Sequence, residues 1–322
     1  MRSLPLALWA MLLQPLPAGG LRWLTMFGAD ADNATAHPWA NMLTAQDEST
    51  GGLAAVAAAH ARGVRVLWQS PVYDVLNRSV DMHYRLQPGW QAATRQKIAP
   101  TLPFIANGSL SGFFVGDELV GNGMLVEEFG AFVRLLREVA GPRALLYANE
   151  GWGSINADRG FCNRACQGDA GGINGSCCTL RKLPPELDVI SEDIYSFPGE
   201  CSCGPGPCGT PACAGQACEA GAGKGLYSCS GWNSTAEVEW TQAEYEAHVF
   251  PLLHPHQKVF IVAGMFGCSN FSRKGGGLEA QSEVLVRKLR AHVEWARREP
   301  RESPIDVQAN VLATFSNALT DS

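Results

Sequence analysis

The chain is short of charge throughout and short of cysteine in its first half. Asp, Glu, Lys and Arg make up 17% of its 322 residues, and the formal net charge is −6. No block of basic residues occurs, so a nucleic-acid-binding face is excluded on charge. No cysteine precedes Cys162, so any disulfide framework is confined to the second half. No apolar run reaches the roughly 20 residues that a membrane-spanning helix needs. Paired C-x-x-C knuckles and a helical H-E-x-x-H are missing, which removes the common zinc patterns. The stretch FGADADNATAH carries no glycine-rich phosphate loop of the kind that marks an open dinucleotide-binding sheet. No cofactor is expected.

What is present points to the secretory pathway. Residues 1–20, MRSLPLALWAMLLQPLPAGG, place Arg2 before an apolar core from Leu4 to Leu13 and the small residues Ala18, Gly19 and Gly20 after it. That is the order of a signal peptide. Six sequons follow, at Asn33, Asn77, Asn107, Asn174, Asn233 and Asn270, and they suit a glycosylated secreted or lumenal protein. The eleven cysteines fall in two groups and a singleton. Cys162, Cys166, Cys177 and Cys178 form the first; Cys201, Cys203, Cys208, Cys213, Cys218 and Cys229 form the second; Cys268 stands apart. In an oxidising compartment they read as disulfide staples of undetermined connectivity, with an odd thiol left over.

From residue 21 apolar and amphipathic segments alternate. Strand candidates are 21–28, 40–44, 64–69, 111–118, 144–150, 187–197, 258–267 and 305–315, with helical patterns in most of the gaps. The clearest helix is MLVEEFGAFVRLLREVAG, where Phe129, Phe132, Val133 and Leu136 recur at helical spacing before Gly141. Eight such units in about 300 residues predict an α/β fold, a (β/α)8 TIM barrel over 21–322 as a single domain. Cysteine-rich insertions at about 160–180 and 200–230 follow the fifth and sixth strands and so emerge on the C-terminal face.

Catalytic groups of such a barrel sit at the C-terminal strand ends. The third strand ends in Trp68-Gln69, the fourth in Asp117-Glu118, the fifth in Tyr147, Asn149 and Glu150 followed by Trp152, and the sixth in Asp193 and Tyr195. Carboxylates beside aromatic rings suit a sugar: acids serve the glycosidic oxygen, and flat rings stack on the sugar's apolar face. Glu118, Asp193 and Glu150 are the candidate catalytic acids. Asp117, Trp68, Gln69, Tyr147, Asn149, Trp152 and Tyr195 are the candidate substrate contacts. Strict alternation places Glu118 with Phe114 on the inward face and Asp117 on the outward one. In the sixth strand it places Asp193 inward with Ser191.

GFFVGDEL followed by a helix, then ALLYANE, resembles the glycoside hydrolase-like TIM barrels, many of which end the fourth strand in G-y-y-x-x-D-E-P. LDVISEDIYSF is similar to their sixth strand and KVFIVAGMFG to their seventh. The resemblance implies a carbohydrate or glycoconjugate substrate and Glu118 as general acid/base. Two positions depart from the pattern. Leu119 stands where the proline would be. Gly264, Met265 and Phe266 stand where many retaining members end the seventh strand in a nucleophilic glutamate, so no nucleophile carries over. Asp193 or Glu150 is then the second carboxylate, a substrate acetamido group takes its part, or the barrel only binds.

Overall fold

The computed structural model describes residues 42–45, 52–78, 84–155, 180–193, 239, 241–261, 291 and 295. Strands β1 (Met42–Ala45), β2 (Arg65–Gln69), β5 (Gly112–Asp117), β6 (Leu145–Gly151), β7 (Val189–Asp193) and β8 (Lys258–Ile261) form one sheet in the order β1-β2-β5-β6-β7-β8, with every pairing parallel. A two-stranded antiparallel hairpin, β3 (Leu76–Arg78) with β4 (Tyr84–Leu86), lies outside it. Strands that pair in chain order, with no reversal, are not a doubly wound sheet. These are the second to seventh predicted strands. The first and eighth, 21–28 and 305–315, lie outside the described residues, as do the signal segment and both cysteine-rich insertions.

The helices follow the sequence pattern. Helix α1 (Gly52–Ala61) ends before Gly63, whose left-handed φ stops it. A single turn, α2 (Val72–Val75), leads into the hairpin. Pro100 and Pro103 divide the next segment into α3 (Trp90–Ile98), a 3-10 turn (Ala99–Thr101) and α4 (Leu102–Ala106), because each proline is tolerated only in a first turn. Helix α5 (Val126–Ala140) buries Phe129, Phe132, Val133 and Leu136 completely, which contributes about 1.5–3 kcal/mol for each side chain. A short α6 (Trp152–Ile155) follows β6.

The two faces of the sheet bury different things. On one, Leu43, Val66, Phe113, Leu146, Ile190 and Val259 merge with the helices into a single large core. On the other, each strand contributes one residue to a separate cluster: Met42, Leu67, Phe114, Tyr147, Val189 and Phe260. Among the described residues no helix residue enters that second cluster. The rings of Tyr147 and Phe260 come within 4.9 Å although β7 lies between their strands. Next-nearest strands lie about 9.5 Å apart, so the two rings meet over β7 on this face, the inward one of the predicted barrel.

Candidate acid rim at the strand ends

The site begins with an irregularity. Along β5 and β6, Phe114 pairs with Tyr147, but Gly116 pairs with Ala148 and Asp117 with Asn149. Val115 is an extra residue, a β-bulge that inverts the alternation beyond it. The β2–α2 turn holds the bulge. Ser70 Oγ donates to the Val115 carbonyl. The Tyr73 hydroxyl accepts from the Asp117 N–H at 2.8 Å and donates to the Asp117 carbonyl at 3.0 Å.

The bulge corrects the regular-strand expectation. Asp117 takes the inward face beside Asn149, and Asn149 Nδ2 donates to its Oδ1 at 2.7 Å. Asn149 Oδ1 in turn accepts from the Ser191 hydroxyl, and Tyr147 and Ser191 share a 2.7 Å hydrogen bond. Tyr147, Ser191 and Asn149 are all buried. They form a relay across β6 and β7 that fixes one oxygen of Asp117.

Glu118 reaches the same rim by another device. Its φ of 48° makes it, among the described residues, the one residue other than glycine with a left-handed backbone. Its N–H donates to the Asn149 carbonyl at 2.8 Å, and its own carbonyl accepts from the backbone and side chain of Asn122, each at 2.8 Å. A side chain at Gly151 would lie only 2.8 Å from Glu118 Oε1. Glycine there leaves the space that the carboxyl occupies. The bulge and the left-handed turn together bring both adjacent acids to one rim, which a regular strand cannot do.

Both carboxyls hold their protons more tightly than usual. Burial raises Asp117, opposed by the Asn149 hydrogen bond. Burial and then the neighbouring Asp117 charge raise Glu118. Among the described residues neither acid has an ion-pair partner closer than 4 Å.

Glu150 is not at the rim, which corrects its assignment as a candidate catalytic acid. It follows Asn149 on β6 and therefore points to the helix side, fully buried. Tyr147 floors the inner cluster between Phe114 and Phe260, and Asn149 bonds Asp117 and Ser191. Trp68 packs against the helix-side core. With Gln69, Tyr73, Asp74 and Lys97 it lines a hollow of about 350 Å³. Gln69 Nε2 is buried with no hydrogen-bond partner among the described residues.

Asp193 ends β7 in register with Gly151, the residue over which Glu118 lies. Its side chain, that of Trp152, and all of Tyr195 lie outside the described residues, as do the eleven cysteines and the sequons Asn33, Asn174, Asn233 and Asn270. Asn77 and Asn107 are exposed. Ser70, Tyr73 and Ser191 were missed in the sequence because their partners lie 42 to 45 residues away along the chain. Gly116 inside an apolar strand was the one local sign of the bulge. Among the described residues no cluster of three or more His, Cys, Asp or Glu could hold a metal ion, and no helix is long and apolar enough to cross a membrane.

No protein-family model matches the chain, and no curated protein matches it. Similar solved structures include xylanase B from Clostridium stercorarium F9, at 12% identity over 88% of this chain and 83% of that one, with a TM-score of 0.41. The Thermobacillus composti GH10 xylanase matches at 15% identity over 88% and 80%, with a TM-score of 0.39. A GH5_18 protein from Streptomyces cattleya, in complex with Manb1-4GlcNAc, matches at 12% identity over 84% and 75%, with a TM-score of 0.40. At such scores the likeness says nothing of reaction or substrate.

Proposed function

We propose that the chain is a secreted glycoside hydrolase-like protein that hydrolyses O-glycosidic bonds, with Glu118 as the general acid. The parallel sheet is part of a (β/α)8 barrel in this proposal. The observation that carries this reading is the strained placement of Glu118. A left-handed backbone costs an ordinary residue about 1–2 kcal/mol, and such strain persists where the surroundings over-determine it, most often at functional sites. Here it delivers a carboxyl with a raised pKa to the inner rim.

The chemistry follows from the two environments. Burial, and then the charge on Asp117, raise the Glu118 pKa and favour its protonated form. Glu118 gives that proton to the glycosidic oxygen as the bond to the anomeric carbon breaks, and the positive charge developing there is met from the other side by a second carboxylate or by water that it activates. Asp193 is the candidate for that part, since β7 ends beside Gly151. Glu150 is excluded from it by its burial on the helix side. The signal segment, the sequons and the cysteines support secretion.

The test is hydrolysis of a panel of aryl glycosides by wild type and Glu118→Gln. A general acid contributes about 10²–10⁴-fold, so the variant should lose that much in kcat. Activity that survives in the variant removes Glu118 from the mechanism. A second reading, a barrel that binds carbohydrate without cleaving it, is favoured by Gly264, Met265 and Phe266 at the seventh strand end, where no acid stands. It predicts sugar binding by wild type with no release of aglycone from any member of the panel.

A further inference from the structure

Glu150 is a buried acid that the proposed chemistry does not use, and its surroundings are specific. Oε1 accepts from the Val120 N–H at 3.1 Å. Oε2 accepts from the Gly121 N–H at 3.2 Å and lies 3.0 Å from the Ser154 hydroxyl, whose one proton also faces the Gly151 carbonyl at 2.5 Å. Val120 and Gly121 belong to the turn that starts at Glu118, and Leu119 and Val120 are fully buried within it. Removing the Glu150 carboxyl would take the acceptor from the buried Val120 N–H, a cost a buried backbone rarely bears.

We infer that Glu150 is the positioning residue for Glu118: its carboxyl clamps the 118–121 turn from the helix side and so keeps the Glu118 carboxyl over Gly151. This rests on the reading of Glu118 as the acid. The left-handed residue at the head of the turn has a standing tendency to relax. The clamp opposes it from below, while the Asn149 carbonyl holds the Glu118 N–H from beside. Burial pushes Glu150 up to about 8 against the hydrogen bonds from Val120, Gly121 and Ser154; Asp117 raises it further, Tyr73 is itself held protonated by burial, and the fully buried Glu192 is its registered neighbour on β7. Glutamine, with a single acceptor oxygen, keeps only one of the two amide bonds, and alanine keeps neither.

The experiment compares wild type, Glu150→Gln, Glu150→Ala and Ser154→Ala by amide hydrogen exchange, carbon-detected carboxyl titration and steady-state kinetics. In Glu150→Ala the Val120 and Gly121 amides should exchange at least about tenfold faster, the Glu118 pKa should fall toward its ordinary value, and kcat should drop with KM little changed. Glu150→Gln, which keeps one of the two acceptor oxygens, should recover each change only in part. If Glu150→Ala does not fold, Ser154→Ala must show the same changes in smaller measure, since it removes one anchor of the carboxyl. Exchange and titration that match wild type in Glu150→Ala, or in Ser154→Ala when it stands in, overturn the inference. A wild type that cleaves nothing defeats the reading of Glu118 as acid, yet leaves the exchange result to decide the clamp.

Discussion

The two ends of the parallel sheet treat charge in opposite ways. At the lower end Asp188, just before β7, accepts from Arg137 Nη2 at 2.5 Å and from the Leu146 N–H at 2.7 Å. The same guanidinium also serves the carbonyls of Gly141, Ala144 and Glu186, and so ties the last turn of α5 to the strands on either side. At the upper end Asp117 and Glu118 share the rim and Glu150 lies beneath their turn on β6, all with raised pKa values and with no cation beside them among the described residues. Compensated charge at the bottom stabilises the fold. Acids without a compensating cation at the top cost stability when they ionise, and groups with raised pKa values of this kind are suited to holding and releasing protons.

The contrast can be broken most strongly with pH. Glu150 has its pKa raised from 4.5 to about 8 in the folded state. Its contribution to stability is therefore fully present below about 4.5 and is lost as pH rises through about 8, on the order of 5 kcal/mol in all. Urea unfolding across that window should show wild type losing stability relative to Glu150→Gln, which cannot ionise. Parallel curves for the two proteins would contradict the buried acid.

Next in size is an alteration at the lower end with no charge in it. Gly112 opens β5 at a φ of 155°, and a side chain there would meet the Leu145 carbonyl oxygen at 2.0 Å. Gly112→Ala should cost about 3 kcal/mol by chemical denaturation. Asp188→Ala leaves Arg137 and the Leu146 N–H without their shared acceptor and should cost about 2 kcal/mol in the same assay. The smallest effect has the opposite sign. Asparagine tolerates the left-handed region better than glutamate, so Glu118→Asn should raise stability by about 1 kcal/mol while abolishing any hydrolysis. Destabilisation by that change would mean that the Glu118 backbone is not strained.

The scaffold was legible in the sequence and the site only partly. Apolar runs of strand length alternating with helical periodicity placed β2, β5, β6 and β8 and helix α5 close to where they lie. The strand-end acids were visible too, because carboxylates at the end of a buried strand have no packing reason to be there. The facing of those acids was not legible. A single extra residue at Val115 turns Asp117 inward, and the hydroxyls that stabilise the bulge, from Ser70 and Tyr73, come from a distant segment. For Glu150 the information was present: Asn149 and Glu150 are consecutive on one strand, and alternation alone sends them to opposite faces.

Carbon-detected titration of the Asp117 and Glu118 carboxyls tests the shared acidic rim most directly. Both should titrate above their ordinary values of 3.8 and 4.5, and Glu118 should fall back toward 4.5 when Asp117 is replaced by asparagine. A Glu118 carboxyl that titrates at or below 4.5 and ignores the Asp117 substitution would show that the two acids do not share one site.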